Sequence, residues 1–278
     1  MTRASNKPLI VIDAELGRRA VLPPDFWQFR ELLAQMTLSA FRAKYLHLRT
    51  SFLWYYARPL TITLVFVLLR AGAGADLGAG APYPLFVLSG VCFWFIFADS
   101  LAAASSSLMS GASLIQKVYF PILMLPLAQV MARFADVALA LLAVLILQIA
   151  LGVGTDIELL MLVPVVVQLM LLAFGIGCAV AAISVTFPDA REAVNIALYL
   201  GLFLSPVFYS PEAMQPVARM LLHLNPLVGS LEGVRGALFE TAVFPWAAWG
   251  YSCAATLLAV LVGLTLLSRA SRNAAEFL

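Results

Sequence analysis

The residues able to do chemistry are few and scattered. His47 stands just ahead of the first long apolar stretch, and His223 lies far along the chain. Cys92, Cys178 and Cys253 sit singly in apolar surroundings with no CxxC pair, so neither a disulfide framework nor a thiolate metal site is indicated. They read as small packing residues. The strings HExxH and GxSxG are absent, and no Gly-Lys dipeptide occurs anywhere. Zinc hydrolysis, a nucleophile elbow and the phosphate-cradling loop of a P-loop ATPase therefore all lack their residues. No catalytic, cofactor or metal residue is assigned, and any ATP used must be bound by another chain.

What remains is charge embedded in apolar sequence, where an ionisable group costs about 2.5–3.5 kcal/mol on insertion scales and usually faces a bundle interior or a water path. Arg133 and Asp136 are three residues apart and can meet on one helix face, which suits a self-neutralising packing pair. Asp99 stands near the polar run Ser105, Ser106 and Ser107 and is expected to make a bundle contact. Arg58 precedes Pro59 and either snorkels toward the cytoplasm or lines a path. Aromatic residues cluster at Phe52, Trp54, Tyr55 and Tyr56, at Phe93, Trp94, Phe95 and Phe97, and at Tyr199, Phe203, Phe208 and Tyr209. Interfacial belts and packing account for most of them. Aromatic faces also suit sugar rings, so Trp54, Tyr55, Tyr56, Tyr199, Phe203, Phe208 and Tyr209 are the candidate lining of a glycan path.

The elements that must position these groups follow from composition. Of 278 residues, 63% are hydrophobic and only 12% charged, with mean hydropathy +0.96. Soluble domains run at about 45–50% apolar and about 25% charged, so the chain is expected to be an all-α integral membrane protein. A net charge of +2 gives no reason to expect a nucleic-acid partner. Six stretches are long or apolar enough to cross as helices, at 52–69, 84–108, 122–151, 159–185, 194–208 and 247–267. The fifth is short and leads into the Pro-punctuated segment 210–245, read as an outer re-entrant segment of short helices.

Orientation comes from Lys and Arg. Residues 1–49 hold Arg3, Lys7, Arg18, Arg19, Arg30, Arg42, Lys44 and Arg49, and Lys117, Arg191, Arg269 and Arg272 fall on the same side of the six-span layout. Only Arg219 and Arg235 fall opposite, so both termini are expected in the cytoplasm. The first twenty residues carry six charges (Arg3, Lys7, Asp13, Glu15, Arg18, Arg19) and no sustained apolar core, which excludes a cleavable signal peptide. Between them and the first span, Phe26, Phe29, Leu33, Met36 and Ala40 alternate with Gln28, Glu31, Gln35, Ser39 and Arg42 at helical spacing. The organisation expected is a cytoplasmic tail over 1–23, an amphipathic helix over 24–49 and a six-span domain over 50–278. The amphipathic helix is read as lying in the membrane interface, with packing on the protein's own face as the compatible alternative.

Several ordered strings carry a resemblance. The stretches FVLSGVCFWFIFADSL, LIQKVYFPILMLPLAQV, AISVTFPDAREAV, LFLSPVFYS and LLHLNPLVGSLEGVRGALF together resemble the hallmark segments of ABC-type permeases that export polysaccharides, O-antigens and teichoic acids. The resemblance runs from about Phe26 to the carboxyl end. It implies the transmembrane half of an exporter in the bacterial inner membrane, a homodimer around a path, working with two copies of a separate subunit that binds ATP and Mg. It further implies that Leu114, Ile115, Gln116, Lys117, Val118 and Tyr119, with Asp189, Arg191 and Glu192, face that ATPase. The cargo implied is a lipid-linked polysaccharide, whose linker phosphates would meet Arg42, Lys44 and Arg49 at the membrane edge, although the positive-inside rule explains those cations without a ligand. Asn225 and Pro226 are expected to shape a turn between outer helices. Relatives commonly have an uncharged polar residue where Arg58 stands, which leaves the inner lining open. The competing readings are a permease of the same architecture for drugs or small hydrophobic molecules, and a membrane enzyme acting on lipid-linked sugars. The second is disfavoured because no acid, base or nucleophile constellation can be assembled.

Overall fold

A computed structural model describes residues 26–45, 51–73, 82–118, 120–154, 157–239 and 243–277. Every regular element among them is helical. A 3-10 turn, Phe26–Phe29, leads into α1 (Arg30–Tyr45), followed by α2 (Ser51–Ala73), α3 (Tyr83–Ser110) and the short α4 (Ala112–Ile115). Next come α5 (Met124–Ala132), α6 (Phe134–Ala150), α7 (Leu162–Thr186) and α8 (Ala190–Leu204). The chain closes through α9 (Pro216–Leu222), α10 (Leu227–Leu238) and the long α11 (Trp246–Phe277).

Four helical segments, Tyr83–Ser110, Met124–Ala150, Leu159–Thr186 and Trp246–Ala270, are long and apolar enough to cross a membrane. The other two expected spans correspond to α2, 23 residues with Pro59 inside it, and α8, only 15 residues long. The apolar run expected as one helix over 122–151 is interrupted at Arg133. There the amide of Arg133 bonds the Val130 carbonyl at 3.0 Å and the amide of Asp136 bonds the Arg133 carbonyl at 2.9 Å, a local tightening to i→i−3 pairing. The Arg133 and Asp136 side chains thus leave a joint between α5 and α6 rather than the flank of a straight helix.

α3 is the central element. It is buried on every side from Leu85 to Ala98 and carries a Pro near its start, where a missing donor costs nothing, and 89% of its apolar window is buried. α7 lies against it and α11 lies against α7. Lipid offers no hydrophobic drive between helices, so close backbone approach through small residues has to hold them. Gly177 of α7 faces Ala104 of α3, and a Cβ on Gly263 of α11 would lie 2.1 Å from the Gly175 carbonyl oxygen of α7.

Polar side chains knit the opposite end. Ser230 Oγ donates to Gln168 Oε1 at 2.8 Å, and Gln168 Nε2 donates to Thr256 Oγ1 at 2.7 Å, joining α10, α7 and α11. Ser252 Oγ donates to the Pro226 carbonyl at 2.5 Å. Every residue of α10 except Glu232 is buried, so this short helix is an internal strut. Its Arg235, only 4% exposed, lays its guanidinium 3.5 Å above the Phe86 ring and donates from Nη2 to the Val207 carbonyl at 3.0 Å and the Phe86 carbonyl at 3.3 Å. The close fit depends on Gly90, where a Cβ would stand 2.7 Å from Nη2 and 2.9 Å from the Val207 oxygen.

The α7–α11 contact makes a direct prediction. Gly263→Val forces the two backbones apart, and overpacking of this kind costs about 1–3 kcal/mol, so the thermal midpoint of the detergent-solubilised protein should fall by several degrees. Gly72→Ala, at a position where a Cβ meets nothing within 4 Å, should leave that midpoint in place. Equal midpoints for the two variants would refute the small-residue contact.

Candidate functional site

At the end where α3 and α7 finish, α1 lies across the bundle. Phe26, Phe29, Leu32, Leu33 and Met36 pack on a small core of Phe120, Met124 and Leu125, together with Leu114 and Ile115 from α4. The apolar side of the amphipathic helix is thus turned onto the protein itself, the packing named above as compatible with an interfacial position. Trp27 of the 3-10 turn, 78% exposed, and Leu38 of α1, 38% exposed, are large apolar residues left outside. The reason is competition for one apolar stripe: the turn after α3 exposes apolar groups of its own, and α1 covers them.

The charges gather beneath α1 in two linked layers. Asp136, only 1% exposed, sits at the start of α6. Its Oδ2 accepts from Lys44 Nζ at 2.6 Å and its Oδ1 from the Tyr45 hydroxyl. Arg133 Nη1 stands 3.8 Å from Oδ2. The expected Arg133–Asp136 pair is therefore present, but the shorter partner comes from a residue 92 positions away. Tyr55 of α2 donates to the backbone carbonyl of Asp136 at 2.7 Å, and Tyr56 to that of Leu139 at 3.0 Å. Burial is the largest influence on Lys44 and lowers its pKa, with the Arg133 charge acting the same way and Asp136 pulling it back up. Burial, followed by its hydrogen bond to Asp136, raises the pKa of Tyr45, so the phenol keeps the proton it donates.

The second layer is more open. Asp99 of α3 stands 3.8 Å from Lys44 Nζ and 3.6 Å from Arg58 Nη1, and Arg58 stacks 3.8 Å above the Phe95 ring. Asp99 thus makes the bundle contact expected of it, bridging α1, α2 and α3.

Among the residues expected to face an ATPase, Leu114 and Ile115 face the α1 core, whereas Gln116, Lys117 and Val118 are exposed on the turn that follows. Tyr119 lies outside the described residues. The second link carries exposed Phe187, Pro188 and Asp189, with Glu192 exposed and Arg191 half-buried in the first turn of α8. Glu192 accepts from Asn195 Nδ2 at 3.3 Å. Both links stand at the same end as α1. Of the cations expected at the membrane edge, Lys44 is committed to Asp136, Arg42 is exposed, and Arg49 lies outside the described residues.

The aromatic residues divide. Tyr199 and Phe203 are exposed on α8. Phe208 is buried, stacked on Phe66 of α2 with centroids 3.7 Å apart, and Tyr209 donates to the Phe203 carbonyl at 3.1 Å. Tyr55 and Tyr56 are spent on α6 carbonyls, and the Trp54 side chain lies outside the described residues. Asn225 shapes the turn before α10 as expected, its Oδ1 accepting from the Leu227 amide at 3.0 Å and its Nδ2 donating to Ser205 Oγ at 2.9 Å. Between α3, α7, α8 and α9 lies an apolar cleft of about 640 Å³ bounded by Trp94, Phe97, Leu198, Leu204, Tyr209 and Leu222. The Lys44–Asp136 bond and the buried Arg235 were beyond sequence reasoning, and the one available signal was that Asp136 and Arg235 are charges set within largely apolar sequence. No group of His, Cys, Asp and Glu able to hold a metal ion occurs among the described residues.

Comparison with known proteins places this geometry. The family model described as ABC-2 type transporter matches residues 28–239. The O-antigen export system permease protein RfbA of Myxococcus xanthus is 27% identical over 219 residues, covering 78% of this chain and 83% of the relative.

The buried carboxylate yields the second prediction. Asp136→Asn leaves Lys44 facing a neutral amide, and removing one partner of a buried ion pair costs about 3–5 kcal/mol, at the low end here because Lys44 is 25% exposed. Hydrogen exchange should accelerate in α1 while α7 and α11 stay protected. Tyr45→Phe should do the same more weakly, by about 1 kcal/mol. Unchanged α1 protection in Asp136→Asn would show that the carboxylate does not hold the helix.

Proposed function

The chain belongs to the ABC-2 type transporter family, and from that premise we propose that it is the membrane permease subunit of an ATP-driven exporter carrying lipid-linked polysaccharide out of the cytoplasm. The observation that carries the reading is the family match over 28–239 together with the likeness to an O-antigen export permease across most of both chains. The ordered motif strings point the same way.

In this reading α2 and α8 complete a set of six crossings in the bacterial inner membrane, with both termini inside. At 1.5 Å per residue, α2 is roughly 35 Å long and suffices for a crossing, and α8 extends its reach through the segment ending at Tyr209. The helices α9 and α10 form the outer re-entrant segment, tolerable in a membrane because protein buries its backbone. A separate subunit, in two copies, binds ATP and Mg. It docks on the exposed turns at Lys117 and Val118 and at Asp189, beside α1. Its closure moves α1, and the Lys44–Asp136 bond passes that movement to α6.

Two copies of the chain enclose the path. The exposed Tyr199 and Phe203 of α8 suit the apolar faces of sugar rings, and they lead the candidate lining. Arg42 stays in the reading as a contact for the linker phosphate at the membrane edge. A second reading, export of small hydrophobic molecules, is favoured by one feature, the apolar cleft beside Trp94 and Phe97.

Depletion of the chain in its host separates these readings. Newly made lipid-linked polysaccharide should accumulate inside, with surface glycan lost and restored only when the chain and an active ATPase are both supplied. Normal surface glycan with impaired efflux of hydrophobic compounds would overturn the polysaccharide assignment in favour of the second reading.

A further inference from the structure

We propose that Arg58, together with the displaceable carboxylate of Asp99, forms a binding site for the phosphate of a lipid-linked substrate, inside the span rather than at the membrane edge. The proposal rests on the export reading above and deepens it. Three observations carry it.

The first is depth combined with exposure. Arg58 is the eighth residue of α2, roughly 10 Å along the helix axis from its start, yet its side chain is 54% exposed. A charge at that depth faces a polar surrounding rather than hydrocarbon. The bundle supplies only part of that surrounding, the Asp99 carboxylate at 3.6 Å and the Phe95 ring, and about half of the side chain stays outside it. Thr61 and Val65 continue the same exposed face. The exposed residues beyond Arg58 on α2 include the apolar Leu60, Leu64 and Leu68, so the need for water or a polar ligand is local to the exposed part of the guanidinium.

The second is the charge balance of the cluster. Lys44, Arg58 and Arg133 meet two carboxylates, Asp99 and Asp136, which leaves one positive charge over. Lys44 and Arg133 are the less exposed cations and both lie against Asp136. The surplus charge thus resides on the exposed Arg58, whose only carboxylate neighbour among the described residues is Asp99, itself shared with Lys44.

The third is geometry. The Arg58–Asp99 separation of 3.6 Å is too long for a hydrogen bond, so the guanidinium donors are attracted but not consumed. Phe95 lies beneath the guanidinium at 3.8 Å, and with the side chain 54% exposed donors remain accessible from outside. A planar fork of this kind matches two phosphate oxygens. Asp99, 37% exposed, has Lys44 to turn to when phosphate arrives, so neither carboxylate nor cation is left unpaired. Asp99 repels any anion while the site is empty, and it is the surplus positive charge of the whole cluster that attracts a doubly charged linker more than a singly charged headgroup.

The test is equilibrium binding of radiolabelled farnesyl pyrophosphate to the purified full-length chain with its ATPase partner in neutral-lipid nanodiscs, with phosphatidylglycerol and inorganic phosphate as competitors. Wild-type protein should bind the probe and be displaced poorly by either competitor. Arg58→Gln should lose about tenfold or more in affinity, the scale of one charge-assisted contact. Arg58→Lys, keeping the charge but not the fork, should lose less, and Asp99→Asn should bind more tightly than wild type. Arg70→Gln, at the far end of α2, should bind as wild type does. Unchanged binding in Arg58→Gln, or equal displacement by phosphatidylglycerol, would overturn the site while leaving export intact. Failure of the export reading is seen separately, as normal surface glycan in depleted cells.

Discussion

The structure turns on one buried carboxylate. Asp136 has no solvent to stabilise its charge and takes instead a lysine, a tyrosine and a more distant arginine from two directions. Charges in low dielectric interact strongly and tolerate little misplacement. Because Lys44 and Tyr45 end α1, Tyr55 belongs to α2 and Asp136 starts α6, one residue fixes three elements. The joint at Arg133 makes this possible, since it offers a break in the helix where side chains and a backbone carbonyl can be reached together.

The two ends of the bundle are held by different physics. At the α1 end the contacts are ionic and partly open, suited to elements that change partners. At the α10 end they are neutral hydrogen bonds among Gln168, Ser230, Thr256 and Ser252, closed around a helix buried at every residue but Glu232. Arg235 is the exception there, a cation spent on two carbonyls and a ring, and it ties α10 to the start of α3 and to the segment after α8. Between the ends, glycines on α7 and α11 bring backbones into contact, so the middle of the molecule is rigid.

Much of this was legible in the residues alone. The helices follow apolar runs, whose length and composition are local properties, and the amphipathic stripe before the first span is a local pattern too. What could not be read is where a polar group finds its partner. Lys44 carries the same positive charge as Arg42 two positions earlier, and the sequence holds no sign that one turns inward to Asp136. Tyr55, Tyr56 and Phe208 have the same composition as a sugar-binding wall, yet two hydroxyls satisfy backbone carbonyls and Phe208 stacks on Phe66. Arg235 reads as an outer-loop cation because its partners lie on α3 and on the segment after α8, far from it in sequence. The pairing of Arg133 with Asp136 was legible because it spans only three residues.

The central claim is that α1 and α6 move as one body when the ATPase acts. Spin labels on Leu38 of α1 and Ile146 of α6, both exposed, report the distance between them in the assembled complex without nucleotide and with nucleotide trapped. The account predicts a distance distribution that keeps its mean and width in both states, and that broadens when Asp136 is changed to Asn. A wild-type distribution that shifts or splits on nucleotide binding would contradict it, because α1 would then slide over the bundle instead of driving it.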